Sequence, residues 1–144
     1  MSVDAGVYIR IEAEGADWPL TVLQGLFDAG WRADDHGKLV CLPIGDGDDY
    51  GWTALPEGSS IKELFKAKLE LRETLGVTIT WGDTQIGGTL LMAPSRTITF
   101  SASIDRQCLP DSRTSDVSWY LPKLLGGIAK SGVHVTSWQW AESE

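Results

Sequence analysis

Apolar and polar residues alternate through residues 77–104, and this pattern predicts three antiparallel strands joined by two turns. Valine, isoleucine and tryptophan alternate with threonine over residues 77–81, and apolar side chains alternate with threonine and serine over residues 97–104. Turn-forming residues separate these runs at 82–85 and 94–96. One face of this meander is therefore apolar and the other carries short hydroxyl side chains, so helices are needed on one side only.

Two helices are predicted before the meander. The first opens at Asp17, whose carboxylate suits the start of a helix, and is expected to stop at Gly30, a residue that favours a left-handed end. The second opens at Ser60, which has capping-box spacing to Glu63. Leucines and other apolar residues continue on one side of this second helix, so Gly76 is expected to terminate it.

A third helix follows the meander, with Asp116 as its cap and Gly132 as its end. Pro122 is unfavourable inside it, because proline removes one hydrogen bond, so the regular part is expected to begin near that residue. The glycines at 126–127 are expected to weaken the helix further, by about 1 kcal/mol each relative to alanine.

Three more strands are predicted at residues 7–13, 38–44 and 133–140, which gives the order β-α-β-α-β-β-β-α-β. Strands with one polar face need cover on only one side, and three helices can provide it. The pattern therefore favours an α+β two-layer sandwich: a mainly antiparallel sheet of about six strands with about three helices on one face. Residues 1–144 are expected to form a single α+β domain, with residues 141–144 as a loose acidic tail.

The formal net charge of −8 disfavours binding to nucleic acids and to anionic membranes, and it is compatible with a basic protein partner. No apolar run is long enough for a membrane helix. The first residues lack the pattern of a secretory signal, so a cytoplasmic protein is predicted. Two cysteines are too few for a disulfide scaffold, and Cys41 and Cys108 are expected to be free, small core residues.

The least regular stretch lies between residues 45 and 58, and it is the predicted functional loop. Asp46, Asp48, Gly51 and Glu57 match four positions of a calcium-binding EF-hand loop, but Tyr50 stands where a carboxylate or amide is expected. Prolines and a glycine flank the loop, so the two helices of an EF-hand are missing. A looser cation site is the remaining metal alternative, with Asp46, Asp48 and Asp49 as its ligands.

The same loop combines aromatic rings with carboxylates, which suits binding to a basic protein surface. Rings supply contact area, and carboxylates steer and pair with lysine or arginine. The alternative for Trp52 is that it packs inward and holds the loop in place. The predicted partner-binding residues are Asp46, Asp48, Asp49, Tyr50, Trp52 and Glu57.

Signals for catalysis are weak. His36 lies in a polar turn and His134 in the last strand, and no motif joins either to a nucleophile. Neither pair of glycines, at 87–88 or 126–127, has the context of a phosphate-binding loop. Trp138 and Trp140 share one strand face and suit either a stacking platform for a ligand or cover for the helix layer or the sheet edge.

The sequence therefore favours a non-enzymatic protein-binding or inhibitory domain without a cofactor, of which a bacterial immunity protein is the concrete example. The alternative is a small-ligand or metal-binding domain, or an enzyme, that uses the loop at 46–57. A structural module that acts within an oligomer is a third hypothesis, and the sequence leaves the oligomeric state open.

Overall fold

The structure, a computed structural model, describes residues 4–45 and 51–143. Within these ranges the chain forms eight strands and three helices. In chain order they are β1 (Asp4–Glu12), α1 (Trp18–Ala29), β2 (Trp31–Arg32), β3 (Val40–Cys41), β4 (Thr53–Ala54), α2 (Ile61–Glu70), β5 (Leu75–Trp81), β6 (Gly87–Ala93), β7 (Thr97–Ile104), α3 (Val117–Lys130) and β8 (His134–Ser143).

All strands belong to one antiparallel sheet, in the order β4-β3-β5-β6-β7-β1-β8, and β2 pairs with the end of β5. The predicted α+β sandwich with an antiparallel sheet is confirmed. The sheet has eight strands rather than six, because the two-residue strands β2 and β4 were not predicted. The strand predicted at 38–44 shortens to β3, and the predicted meander is present as β5, β6 and β7.

The core lies between the sheet and the helices. Val7 and Ile9 of β1 are buried there, opposite Phe100 and Ile98 of β7. Trp31 is fully buried, and its indole nitrogen donates a hydrogen bond to the backbone oxygen of Lys123 at 3.1 Å. Aromatic rings continue outwards from Trp31 in edge-to-face or tilted contact, the geometry that aromatic pairs prefer. They belong to Trp81, Phe100, Trp119, Tyr120 and Trp140.

Helices α1 and α3 approach each other at two glycines. A Cβ atom on Gly25 would overlap the backbone oxygen of Gly127. A Cβ on Gly127 would lie 2.7 Å from Cδ2 of Leu26 and 3.0 Å from its Cα. Gly127 was expected only to weaken α3, but the absence of a side chain is what permits this contact. Its neighbour Gly126 faces open space.

Helix α2 begins as predicted and ends early. The Ser60 hydroxyl accepts a hydrogen bond from the N–H of Glu63 at 3.2 Å. The prediction that Gly76 terminates the helix is wrong, because the chain leaves it at Glu70 and Gly76 lies in β5. Arg72 adopts a left-handed conformation with φ 56°, and the N–H of Glu73 returns to the oxygen of Lys68. This is the Schellman pattern, in which the left-handed position is usually glycine.

Replacing Ser60 by alanine is expected to destabilise the protein by about 1 kcal/mol, because the N–H of Glu63 loses its acceptor at the first turn of α2. Urea unfolding followed by circular dichroism measures the change. Ser59→Ala is the matched control, since Ser59 is an exposed neighbour outside the helix. Equal stability of the two variants would contradict a role for the cap.

Helix α3 follows Asp116, as predicted, but starts before Pro122. It runs from Val117 with Pro122 inside, so the expectation of a start near Pro122 is wrong. The Asp116 carboxylate accepts a hydrogen bond from the Ser118 hydroxyl, not from a backbone N–H. The early start adds Trp119 and Tyr120 to the helix, and both rings join the aromatic contacts of the core.

Most of the segment 141–144, which was expected to be a loose acidic tail, lies in a strand. Residues 141–143 belong to β8 and pair with the start of β1, and residue 144 lies outside the described part of the chain. The Glu142 carboxylate accepts hydrogen bonds from the Ser115 N–H and the Trp140 indole. Partial burial opposes ionisation of Glu142, but these hydrogen bonds and Arg106 at 3.5 Å prevail and lower its pKa.

Candidate functional site

Four of the six predicted partner-binding residues lie outside the described ranges: Asp46, Asp48, Asp49 and Tyr50. The cation alternative depends on three of them and stays a prediction. Within residues 4–45 and 51–143, no group of three or more His, Cys, Asp or Glu side chains is arranged to hold a metal ion. The structure does describe both flanks of the loop, and with them Trp52 and Glu57.

The incoming flank is fixed to the end of α2. The Lys68 side chain is fully buried, and its ammonium donates to the backbone oxygens of Leu42 at 3.2 Å and Pro43 at 2.8 Å. The Glu73 carboxylate lies 3.7 Å from Lys68 and accepts the N–H of Gly45 at 2.9 Å and 3.1 Å. A buried ammonium with these acceptors therefore sets where the loop leaves the fold.

The outgoing flank carries Trp52, which is half-buried. A Cβ on Gly76 would lie 2.8 Å from Cη2 of Trp52 and 2.7 Å from Cδ1 of Leu42. The ring of Trp52 therefore packs on β5 at Gly76, which has no side chain, and part of the ring surface stays accessible. The inward-packing interpretation of Trp52 therefore agrees with the structure, and its role in partner binding stays a prediction.

Glu57 is exposed at the edge of a groove of about 600 Å³ between residues 33–39 and 54–59. Leu39 and Leu55 form its apolar part and are joined by a backbone hydrogen bond of 2.8 Å. Asp34 and Glu57 contribute carboxylates to the lining, and Lys38 is the basic residue there. We call this the acidic groove.

Negatively charged carboxylates are concentrated at the turn beside the acidic groove. Asp34 accepts the N–H of Gly37 at 3.0 Å, which fixes the carboxylate on the turn. A hydrogen bond of 2.9 Å to Asp35 raises the pKa of His36 above its ordinary value, and the charges of Asp35, Asp105 and Asp34 raise it further. The same field would favour a cationic side chain of a partner.

Sequence reasoning missed Asp34 as a groove residue. The pattern Asp34-Asp35-His36-Gly37 predicts a turn, and it is one, but nothing local indicates that the turn faces Glu57. The pairing of β3 with β4 brings the two segments together. Predicting the β3–β4 hairpin would have revealed the groove. Strands of two residues, however, are too short to give a recognisable pattern in the sequence.

No protein-family model matches this chain, and no curated protein or solved structure is detectably similar to it. In the described part of the chain, no helix is long and apolar enough to cross a membrane.

The cysteines give little support to nucleophilic catalysis. Cys41 is fully buried and free, and burial raises the pKa of its thiol to about 11, against a smaller opposing effect of the Lys68 charge. It therefore stays protonated near neutral pH, and a buried thiol is a poor nucleophile. Both cysteines are free, as expected. Cys41 is a core residue, whereas Cys108 is only half-buried.

The two C-terminal tryptophans share one strand face, as their spacing predicts, and that face is the one opposite the buried residues Val7 and Ile9. Trp140 is opposite Val7 and its ring contacts that of Tyr120 at a centroid distance of 5.4 Å. Trp138 is opposite Ile9 and remains 49% exposed at the edge of the sheet. Trp140 therefore covers the core, and Trp138 alone has a ring face for a further contact.

Proposed function

We propose that this chain is a non-enzymatic protein-binding domain that recognises a basic protein surface with the acidic groove and the adjoining loop at 46–57. The observation that carries the proposal is the groove itself, whose lining combines the carboxylates of Asp34 and Glu57 with the apolar side chains of Leu39 and Leu55 and contains one basic residue, Lys38. A groove with apolar and acidic lining residues suits a lysine or arginine side chain, because the aliphatic stem and the charged head both find partners.

The proposal includes the predicted loop residues Asp46, Asp48, Asp49 and Tyr50 as further contacts. In sequence they follow the flank that Lys68 and Glu73 hold, and they precede Trp52. A bacterial immunity protein that blocks a basic toxin is the concrete version of the proposal, and a cytoplasmic location belongs to it. The net charge of −8 would speed the encounter with such a toxin, since opposite charges steer association.

The proposal predicts that Asp34→Asn/Glu57→Gln weakens binding to a basic toxin domain by about tenfold, because the groove loses two carboxylates. Asparagine at position 34 keeps the acceptor for the Gly37 N–H, so the turn should persist. The measurement is calorimetric titration against a panel of purified basic toxin domains, with neutral domains for comparison, at low and high salt.

Glu12→Gln/Glu14→Gln is the matched control, because it removes the same charge from an exposed segment at the end of β1. It should change affinity by less than about twofold. Equal losses of affinity in both double variants would mean that binding depends on the net charge of the protein and not on the acidic groove. Binding that persists in high salt and in Asp34→Asn/Glu57→Gln would overturn the electrostatic proposal.

A further inference from the structure

We infer that the chain has a second site, which binds a small organic acid with an apolar body and a single carboxylate. The site is a cleft of about 370 Å³ between the start of α1, the end of α2 and the β6–β7 turn. It shares no lining residue with the acidic groove, and its charge is opposite. It therefore goes beyond the proposed function and does not depend on it.

The wall of this cleft is apolar. Trp18 and Met92 are core residues, 4% and 1% exposed, and each presents some surface to the cleft. Pro19 and Leu69 continue the wall from α1 and α2. The volume lies within the range of about 300–1,000 Å³ typical of small-molecule sites, which are mainly apolar with a few polar groups that fix orientation.

The basic groups of the cleft are two arginines, Arg72 and Arg96. The Nε of Arg96 donates to the backbone oxygen of Ala13 at 3.0 Å, which holds its guanidinium at the cleft. Glu73 also lines the cleft, but its carboxylate is engaged by Lys68 and by the N–H of Gly45. The cleft thus collects positive charge in an acidic protein, and guanidinium groups match carboxylates in geometry.

The backbone supplies an independent observation. Arg72 has φ 56° at the left-handed position after α2, and Arg96 has φ 63° in the hairpin loop at 94–96. The N–H of Arg96 bonds to the oxygen of Ala93, and Thr97 pairs with Ala93, so Arg96 holds the left-handed position of a three-residue loop. Glycine is favoured at both positions. An arginine at each is less stable than glycine would be, and both positions border the same cleft.

A purely structural role for these arginines makes a different prediction. The Arg96 side chain ties the β6–β7 turn to the segment after β1, and Arg72 is exposed to solvent. If the two arginines had only these structural roles, replacing either one would leave ligand affinity unchanged, and replacing Arg96 would change stability alone. Glycine variants separate the two roles, because they remove the guanidinium and relieve the backbone together.

Benzoate is the probe, with neutral benzamide and cationic benzamidine as comparators of the same shape. We expect benzoate to bind with a dissociation constant of about 0.1–1 mM, and benzamide to bind about tenfold more weakly. Two-dimensional NMR should place the shifts at residues 15–19, 69–73 and 92–96. Absence of benzoate binding, or equal binding of all three compounds, would overturn the inference.

Arg72→Gly and Arg96→Gly are each expected to raise the dissociation constant for benzoate about tenfold, since each removes one charged hydrogen-bond partner. Arg72→Gly should melt no lower than the natural protein. Arg10→Gln, on the exposed face of β1, is the control and should leave benzoate binding unchanged. Unchanged binding in both glycine variants, or an equal loss in Arg10→Gln, would contradict the site. Toxin binding is measured on the same variants, so the two proposals succeed or fail separately.

Discussion

Gly25→Ala is expected to destabilise the protein by about 3 kcal/mol, the cost of overpacking at a contact between two backbones. The added methyl group would meet the carbonyl oxygen of Gly127, which belongs to the backbone of α3 and cannot rotate away. Helices α1 and α3 would have to separate, and the core contacts beneath them would loosen. Thermal and urea unfolding measure the loss.

Gly126→Ala is the internal control for this prediction. Gly126 lies one residue from Gly127 in α3, and a Cβ there meets nothing within 4 Å. Alanine should therefore stabilise α3 by about 1 kcal/mol through helix propensity alone. Opposite signs for Gly25→Ala and Gly126→Ala would show that the helix contact decides the effect. A neutral Gly25→Ala would mean that the two helices can move apart at little cost.

Lys68→Met is expected to destabilise the protein by about 3–4 kcal/mol, although methionine has a similar volume and fits an apolar environment. The change leaves the backbone oxygens of Leu42 and Pro43 without their ammonium donor and separates Glu73 from its cation. Lys66→Met, on the exposed side of α2, should shift stability by less than about 0.5 kcal/mol. Urea unfolding of both variants provides the comparison.

Lys68→Met also tests how the loop at 46–57 depends on its flank. Loss of the Lys68 contacts should release Pro43 and Gly45, so partner binding should weaken in conditions where the variant is still folded. A variant as stable as the natural protein would contradict the anchoring role of Lys68. If Lys68→Met is less stable but binds the partner normally, the Lys68 contacts at the flank contribute to stability and not to partner binding.

The sequence predicts those elements whose signals are local. Residues 77–104 alternate, and Ser60 has its capping partner three residues away, so the meander and the start of α2 were predicted correctly. The end of α2 was missed because Arg72, rather than a glycine, takes the left-handed position. Glycine does favour the left-handed position after a helix, and this preference led to the wrong prediction that α2 ends at Gly76. In the structure, the side chains of Leu42 and Trp52 pack closely against Gly76 instead.

Features that depend on distant contacts were beyond local patterns. The strands β2 and β4 exist because β5 and β3 offer them edges to pair with. The segment 141–143 is acidic and would be loose alone, but β1 and the hydrogen bonds to Glu142 hold it in the sheet. The acidic groove arises in the same way, since the pairing of β3 with β4 brings the segments that carry Asp34 and Glu57 to one groove.

The place of β1 between β7 and β8 also determines when this protein can fold. Strand β1 pairs with β7 and β8, so both of its neighbours lie far along the chain from it. The hairpins of β5, β6 and β7 can pair early, because their partners are close in the chain. Closing such long loops is slow, so we expect β1 to insert between β7 and β8 late in folding, after the meander has formed.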